Sequence, residues 1–551
     1  LNMGAGLKLR LAFHVMTGPH GTVVSGDSPD QGSYGARLSS ISRHGEHVRL
    51  ESRLGGFVID GDLADHDQTL NTLFTQGGMT LPLTLKRLPP GAPSPWPGQK
   101  APTTTFPTNW TLPSDAEIRR LLVERIDLQH QGVGIVIGVI GPYGRRIVAY
   151  GRSDQPGGRP LDGDTEFEIG SITKVFTALA LADMVRDGEV KLDDPVAKFL
   201  PPEVHMPERN GKAITLVDLA THTSGLPRLP LDMAPKDPAN PYADYTMDQL
   251  YRFLSGYQLV RDPGSTWAYS NLGFGLLGDA LADLAGTDYQ TLVKQRVLTP
   301  LGMASTTIML TPDEAARMAV GHDSNLRPVE NWDLPALAGA GALRSTANDL
   351  LSFVAANLDD PAPPLKADMA LLLSVQRPTG TPNLSQALGW ELLSTPAGEI
   401  IQHGGGTGGF HTLIAFNRRT REGVVVLTNA ETVMGADDIG LHILTGAPVA
   451  TLPPPAPPPP ERHAIALAPE ALQRLVGRYQ LAPEIFVTIT RDGDHLFAQL
   501  TGQNANEVFP ESPRDFFWKV VDAQLTFLPG DHAPGLVLHQ GGRDIPATRV
   551  P

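Results

Sequence analysis

The spacing of apolar and polar positions changes character twice along the chain. Residues 7–15, 48–52 and 81–85 are short alternating or β-rich runs between Gly and Asp turns, with no helical period, so residues 1–88 predict a β-rich unit. Residues 464–551 behave alike, with strands expected at 476–481, 486–490, 496–500, 516–521, 525–528 and 536–539, a spacing that suggests a small barrel or sandwich. The middle, about 114–446, has helical periods. Ser114, followed by Glu117 and an apolar pattern through Ile118, Leu121, Leu122 and Ile126, reads as a capping box that opens a helix. Strands are expected at 132–139 and 147–150, then again at 399–402, 411–416 and 423–429, with helices between the two groups. That order predicts an α+β architecture: an αβ sandwich with a helical insertion, its sheet drawn from both ends of the segment.

Two proline-rich stretches separate these parts. The first spans 89–113; the second, within 447–463, contains Pro453-Pro454-Pro455-Ala456-Pro457-Pro458-Pro459-Pro460 and is expected to be an extended polyproline spacer, with a proline-recognition ligand as the alternative. Composition then narrows the function classes. The 551 residues carry 44 Lys and Arg against 59 Asp and Glu, a net charge of −15, which argues against a nucleic-acid surface. The absence of cysteine excludes a disulfide framework, a Cys zinc site, an iron–sulfur cluster and a thiol nucleophile. No apolar run reaches the length of a membrane span. The start at Leu1 rather than Met suggests that a leader was removed or the chain trimmed.

Three segments carry candidate chemistry. In Ser171-Ile172-Thr173-Lys174 the downstream apolar residues Val175, Phe176, Leu179, Ala182 and Val185 keep a helical period as far as Gly188. Ser171 therefore falls in the first helical turn and Lys174 shares its face. A helix N-cap is the bland explanation for such a serine. A nucleophile activated by a partly buried lysine is the sharper one. In Tyr269-Ser270-Asn271, residues two apart can reach one cavity, a phenol as proton shuttle and an amide as hydrogen-bonding group, although Asn271 also suits a cap for the following helix. His403-Gly404-Gly405-Gly406-Thr407-Gly408-Gly409 contains a formal GxGxxG, but it leads into a hairpin rather than a helix, so a dinucleotide site fails on context. Glycines beside a strand instead let a substrate approach the backbone, where a free amide can serve an oxyanion hole.

In this order and spacing the three segments resemble the serine β-lactamase and penicillin-binding protein superfamily, in particular its class C β-lactamase-like branch, which includes esterases and D-amino-acid peptidases. The resemblance runs from about 114 to 446 and is supported by Thr221-His222-Thr223-Ser224-Gly225-Leu226 and Pro300-Leu301-Gly302-Met303. It implies the β-lactamase/transpeptidase-like fold, with Ser171 as the acylated nucleophile and Lys174 as its activating partner. Tyr269 would be the general base and acid, lowered in pKa by the lysine. Asn271, His403 and Gly405 would contact substrate, and the amides of Ser171 and Gly406 would form the oxyanion hole. It also implies that residues 464–551 form a lipocalin-like domain that can border the active site, and that residues 1–88 are a related β extension. No cofactor or metal is implied, and a location in the periplasm or outside the cell is expected, with a cytoplasmic one left open.

One departure bears on substrate. β-Lactamases and carboxypeptidases of the group usually carry Lys-Thr-Gly where this chain has His403-Gly404-Gly405, and a histidine is mostly neutral at pH 7. Ester or D-amino-acid amide hydrolysis therefore ranks above hydrolysis of a β-lactam, with D-Ala-D-Ala carboxypeptidase activity kept as an alternative. A metallo-hydrolase is disfavoured because His-Glu-x-x-His is absent and His44-Gly45-Glu46-His47 has the wrong order in a hairpin-like stretch. No Gly-x-Ser-x-Gly surrounds Ser171, which disfavours an α/β-hydrolase. A binding or sensor protein that keeps the fold without turnover is the rival outside the enzymes.

Overall fold

A computed structural model describes residues 110–450 except 156–157, 360–363, 382 and 433–434, residues 462–550 except 483–484, 501–504, 519–522 and 541–542, and interrupted segments, mostly strands, between 2 and 87. Most of the first proline-rich stretch and the whole run 453–460 lie outside the described residues. The chain divides into two compact units, one drawn from 1–25, 37–92 and 457–551, the other from 26–36 and 93–456.

The second unit is built on an eight-stranded antiparallel sheet. Helix α1 (Asp115–Val123) opens with the expected capping box: the Glu117 amide donates to Ser114 Oγ, and the Ser114 amide donates back to the Glu117 carboxylate at 2.8 Å. Strands β1 (Gly134–Gly141) and β2 (Gly144–Gly151) follow as a hairpin. The chain then leaves the sheet for helices α2 (Thr173–Arg186), α3 (Asn271–Leu284) and α4 (Ala347–Asn357). It returns through β3 (Arg377–Pro378), β4 (Leu384–Gln386), β5 (Glu391–Thr395), β6 (Gly398–Gly406), β7 (His411–Asn417) and β8 (Glu422–Thr428), and ends in α5 (Asp437–Thr445). The strand order is β2-β1-β8-β7-β6-β5-β4-β3, so β1 from the start of the segment pairs with β8 from its end.

Both faces of this sheet are covered, and period-two alternation assigns the side chains. Ile135, Ile137, Val139, Leu413, Val424 and Val426 pack against Ile118 and Leu122 of α1 and Ile439 and Ile443 of α5. Val136, Ile140, Ile414, Phe416, Val425 and Leu427 join the larger core that contains α2, α3 and α4. Because successive residues are apolar toward opposite layers, these strands read as continuous hydrophobic runs. Helix α2 is buried from Thr173 to Met184, around its whole circumference. A polar side chain on it must therefore find its partners inside the protein.

In the other unit, a five-stranded antiparallel sheet runs Met79–Lys86, Thr69–Gln76, Phe57–Ala64, His47–Ser52, Ser40–His44. Gly45 turns the last hairpin at φ +62°, so His44 and His47 flank a turn as expected. Residues 477–550 form a closed eight-stranded barrel, sealed by pairing of Gly477–Ala482 with Arg543–Val550. Tyr479, Val487, Ile489, Leu496, Phe516, Phe527 and Leu536 fill its interior. Two of its strands were not expected. Asn506–Pro510 is too short and polar to show alternation, and Arg543–Val550 contains Pro546, which argues against a strand when read locally.

A five-residue π-helical turn, Glu124–Leu128, continues α1 and carries a buried arginine. Arg125 forms an ion pair with Asp438 of α5 at 2.6 Å and donates to the Gly435 carbonyl at 2.6 Å and the Gln129 side chain at 3.1 Å. Removing one partner of such a pair strands a buried charge, so Asp438→Ala is expected to lower unfolding stability by about 3–5 kcal/mol. Urea titration of the full chain checks this, and Arg125→Met with Asp438→Leu is expected to recover most of the loss. A single variant within about 0.5 kcal/mol of the parent would show that the pair is not the fastening between α1 and α5.

Candidate active site

The turn that carries Ser171 is set by backbone packing rather than by a cap. Gly170–Ile172 form a 3₁₀ turn that runs into α2, and Ser171 makes no side-chain capping bond. The cap reading of Ser171 is thereby removed. Just before this turn, the Ile169 amide donates to the Leu343 carbonyl at 3.0 Å. Thr412 Oγ1 of β7 reaches both the Ile169 carbonyl, at 3.0 Å, and the Gly405 carbonyl, at 3.3 Å. A Cβ on Gly405 would stand 2.0 Å from the Ile169 oxygen, and one on Gly170 (φ +50°) would stand 2.7 Å from the Gly406 nitrogen. Only glycine permits this approach. Its consequence is that Ser171 sits beside the Gly406 amide at the end of β6.

Lys174, in the first turn of α2, is fully buried, with Nζ 2.9 Å from Ser171 Oγ and 2.6 Å from the Ala340 carbonyl. Burial, with the nearby Arg228 guanidinium adding to it, holds its pKa well below the ordinary lysine value. A neutral amine can donate to Ala340 and offer its lone pair to the serine hydroxyl, which is the geometry of a base.

The Tyr269 segment is held from below by His222. The Ser270 amide donates to His222 Nδ1 at 3.0 Å, and the Ala268 amide donates to the His222 carbonyl at 2.7 Å. Since Nδ1 accepts, the neutral imidazole carries its proton on Nε2. The His222 ring lies 4.3 Å from the Tyr269 ring, while Lys174 Nζ and Arg228 Cζ each lie 4.9 Å from that ring's centre. Tyr269 is hydrogen-bonded to Ser171. The expectation that the lysine lowers the Tyr269 pKa is corrected here: burial raises it well above 10, and Arg228 and the Ser171 bond offset only part of that. Lys174, itself pushed toward neutrality by burial, is not among the groups that lower it, so the phenol keeps its proton.

The cap of α3 is Ser270, whose Oγ accepts from the Gly273 amide at 2.9 Å, so Asn271 is not the cap it also suited. Asn271 instead lines a cavity of about 270 Å³ together with Ser171 and Gly406. Two residues expected at substrate lie elsewhere. His403 is buried behind Tyr269, at a ring distance of 6.4 Å, with Nδ1–H donating to the Gly404 carbonyl at 2.6 Å. Burial and Lys174 depress its pKa to about 3, so it is neutral. Gly405 faces the Ile169 carbonyl, not the cavity, and acts by letting the nucleophile turn approach.

Sequence reasoning missed three neighbours of this site. Arg228 and Glu431 line the cavity, and His222 supports Tyr269. His222 and Arg228 fall in or just after the quoted Thr221–Leu226 segment, but nothing in that segment shows that they meet Tyr269. Glu431 faces His411, which also pairs with Asp437 at 3.1 Å; these two acids raise the His411 pKa to about 10 against its burial. A larger recess, about 670 Å³, lies among Glu203, Asp248, Tyr251 and Arg252 and contains none of the residues expected to react. Among the described residues no group of three or more His, Asp or Glu side chains is arranged to hold a metal, and no helix is long and apolar enough to cross a membrane.

Fold and site together define a serine hydrolase. The Beta-lactamase family model matches residues 118–447, and the chain belongs to that family. A second model, a domain of unknown function named DUF3471, matches residues 461–547. The chain is 36% identical over 309 residues, 53% of its own length and 78% of the relative's, to the D-alanyl-D-alanine-carboxypeptidase/endopeptidase AmpH of Escherichia coli K12. It is 27% identical to penicillin-binding protein 4* of Bacillus subtilis, across 78% of this chain and 97% of that one. Among solved structures, a β-lactamase/D-alanine carboxypeptidase from Yersinia pestis is similar at a TM-score of 0.52 and 28% identity, covering 60% of this chain and 99% of its own.

The glycine contact yields a test. Gly405→Ala pushes the nucleophile turn off the strand, and a displacement of about 1 Å costs about 100-fold, so fluorophosphonate labelling of Ser171 is expected to slow by about that factor. Gly404→Ala, whose added carbon would meet nothing nearer than 3.6 Å, is expected to label as the parent does. Equal rates in the two variants would show that the close approach does not position Ser171.

Proposed function

We propose that the protein hydrolyses amide bonds of D-amino-acid peptides through an acyl-enzyme on Ser171, with activated esters as a second substrate class and β-lactams third. The observation that carries this reading is the pairing of a buried amine, its pKa lowered by burial, 2.9 Å from the serine hydroxyl with a phenol kept protonated by burial. An amide differs from an ester in its leaving group, since an amine must gain a proton as it departs. Tyr269 supplies that proton. The named activity of the Escherichia coli relative supports the amide class. Neutral, buried His403 supports the low rank of β-lactams, because it offers no counter-charge where Lys-Thr-Gly members place one.

The steps follow from the geometry. Lys174 takes the Ser171 proton, and Oγ adds to the carbonyl carbon. The oxyanion forms between the amides of Ser171 and Gly406, where the first turn leading into α2 adds favourable potential. Tyr269 gives its proton to the leaving nitrogen and is reprotonated from Lys174. Water then enters, loses its proton along the same path, and releases the acyl group.

A panel of D-alanyl and L-alanyl anilides, p-nitrophenyl esters and a chromogenic cephalosporin tests the reading, with Ser171→Ala expected to abolish every activity. Tyr269→Phe is expected to slow anilide hydrolysis by about 100-fold or more while affecting p-nitrophenyl esters far less, since nitrophenolate leaves unaided. Equal losses on both would remove the proton-donor role. The free amine of Lys174 is the active form, so kcat/KM is expected to fall as pH drops through its lowered pKa and to level off above it. A rate that rises on acidification would sink that assignment.

A further inference from the structure

Among the described residues, the cavity at Ser171 is lined by one cationic side chain, and it is unused by the chemistry described above. Arg228 lines the wall, half-buried, beside Tyr242 and Asn271. Its main chain is fixed: the Arg228 carbonyl accepts from the amides of Asn271 and Leu272 at 2.9 and 3.1 Å. Its guanidinium lies over the Tyr269 ring at 4.9 Å and makes no side-chain hydrogen bond or ion pair with any described residue. The acid on the same wall, Glu431, is engaged by His411 instead. The two bases nearest the reaction are buried and do not line the cavity: the Lys174 amine is engaged by Ser171 and the Ala340 carbonyl, and the His403 ring by the Gly404 carbonyl.

A guanidinium presents a planar fork of donors that matches a carboxylate. Held over an aromatic face in a half-buried cavity, without a protein anion, it lacks the partner such groups normally have. We propose that Arg228 is the specificity-determining residue of this site and binds a carboxylate of the substrate, near the scissile bond. The inference rests on the peptidase reading for the substrate's backbone, though not for its charge. The carboxylate belongs either to the leaving residue or to the acyl portion, and the same side chain serves both cases.

Binding to protein that cannot turn over separates this from the question of activity. In a Ser171→Ala background, isothermal titration is run with N-acetyl-D-alanyl-D-alaninamide as neutral reference. N-acetyl-D-alanyl-D-alanine adds a leaving-side carboxylate, and N-succinyl-D-alanyl-D-alaninamide adds an acyl-side one. One of the two anions is expected to bind about tenfold or more tightly than the reference, and which one does so identifies the side. Adding Arg228→Gln is expected to bring that ratio to within about twofold, with Arg228→Lys between, as a point charge replaces the fork. Equal affinities for all three ligands, no binding of any, or a preference unchanged by Arg228→Gln would each overturn the proposal. Failure of the peptidase reading shows separately, as absent anilide turnover and absent Ser171 labelling in the parent protein.

Discussion

A backbone-to-backbone contact organises the catalytic half of this molecule. The Ile169 carbonyl and Gly170 rest directly on Gly405 and Gly406, closer than any side chain permits, and the Thr412 hydroxyl bridges the two segments. Everything reactive hangs from this contact. It sets the start of α2, hence Ser171 and, one turn later, Lys174. It also places the Gly406 amide beside the serine. Because α2 is buried around its circumference, Lys174 has no route to solvent, and its amine must share itself between Ser171 and Ala340.

Burial then decides the charges. Lys174, His222 and His403 are each pushed toward neutrality, and Tyr269 is pushed toward keeping its proton. A site of neutral donors and acceptors moves protons without first paying to desolvate ions. Among the described residues Arg228 is the cation on the cavity wall, across which Glu431 is engaged by His411.

Legibility followed the range of the interaction. Strands β1, β7 and β8, the capping box of α1 and the start of α2 depend on neighbours a few positions apart, and local pattern predicted them to within a residue or two. The barrel strand containing Pro546 did not announce itself, because the proline argues against a strand locally and the pairing that closes the barrel is with the distant Gly477–Ala482. His403 illustrates a second limit. Its neutrality followed from residue type, but its place behind Tyr269 depended on how β6 packs, and so did the shift of Gly405 from substrate contact to spacer. The Tyr269 pKa goes the other way because burial of the phenol outweighs the groups that lower it.

The sequence by itself determined the types and order of the candidate groups, Ser171 with Lys174, Tyr269 with Asn271, and the glycine run, since their spacing reflects helix and strand periodicity. It also determined the α+β architecture and the β character of residues 464–551. The tertiary structure alone decided which ionisable groups are charged, which glycine touches what, and that Arg228 and Glu431 share the cavity with Ser171. Those outcomes depend on desolvation and on contacts between segments that can lie more than a hundred residues apart, and no local pattern encodes either.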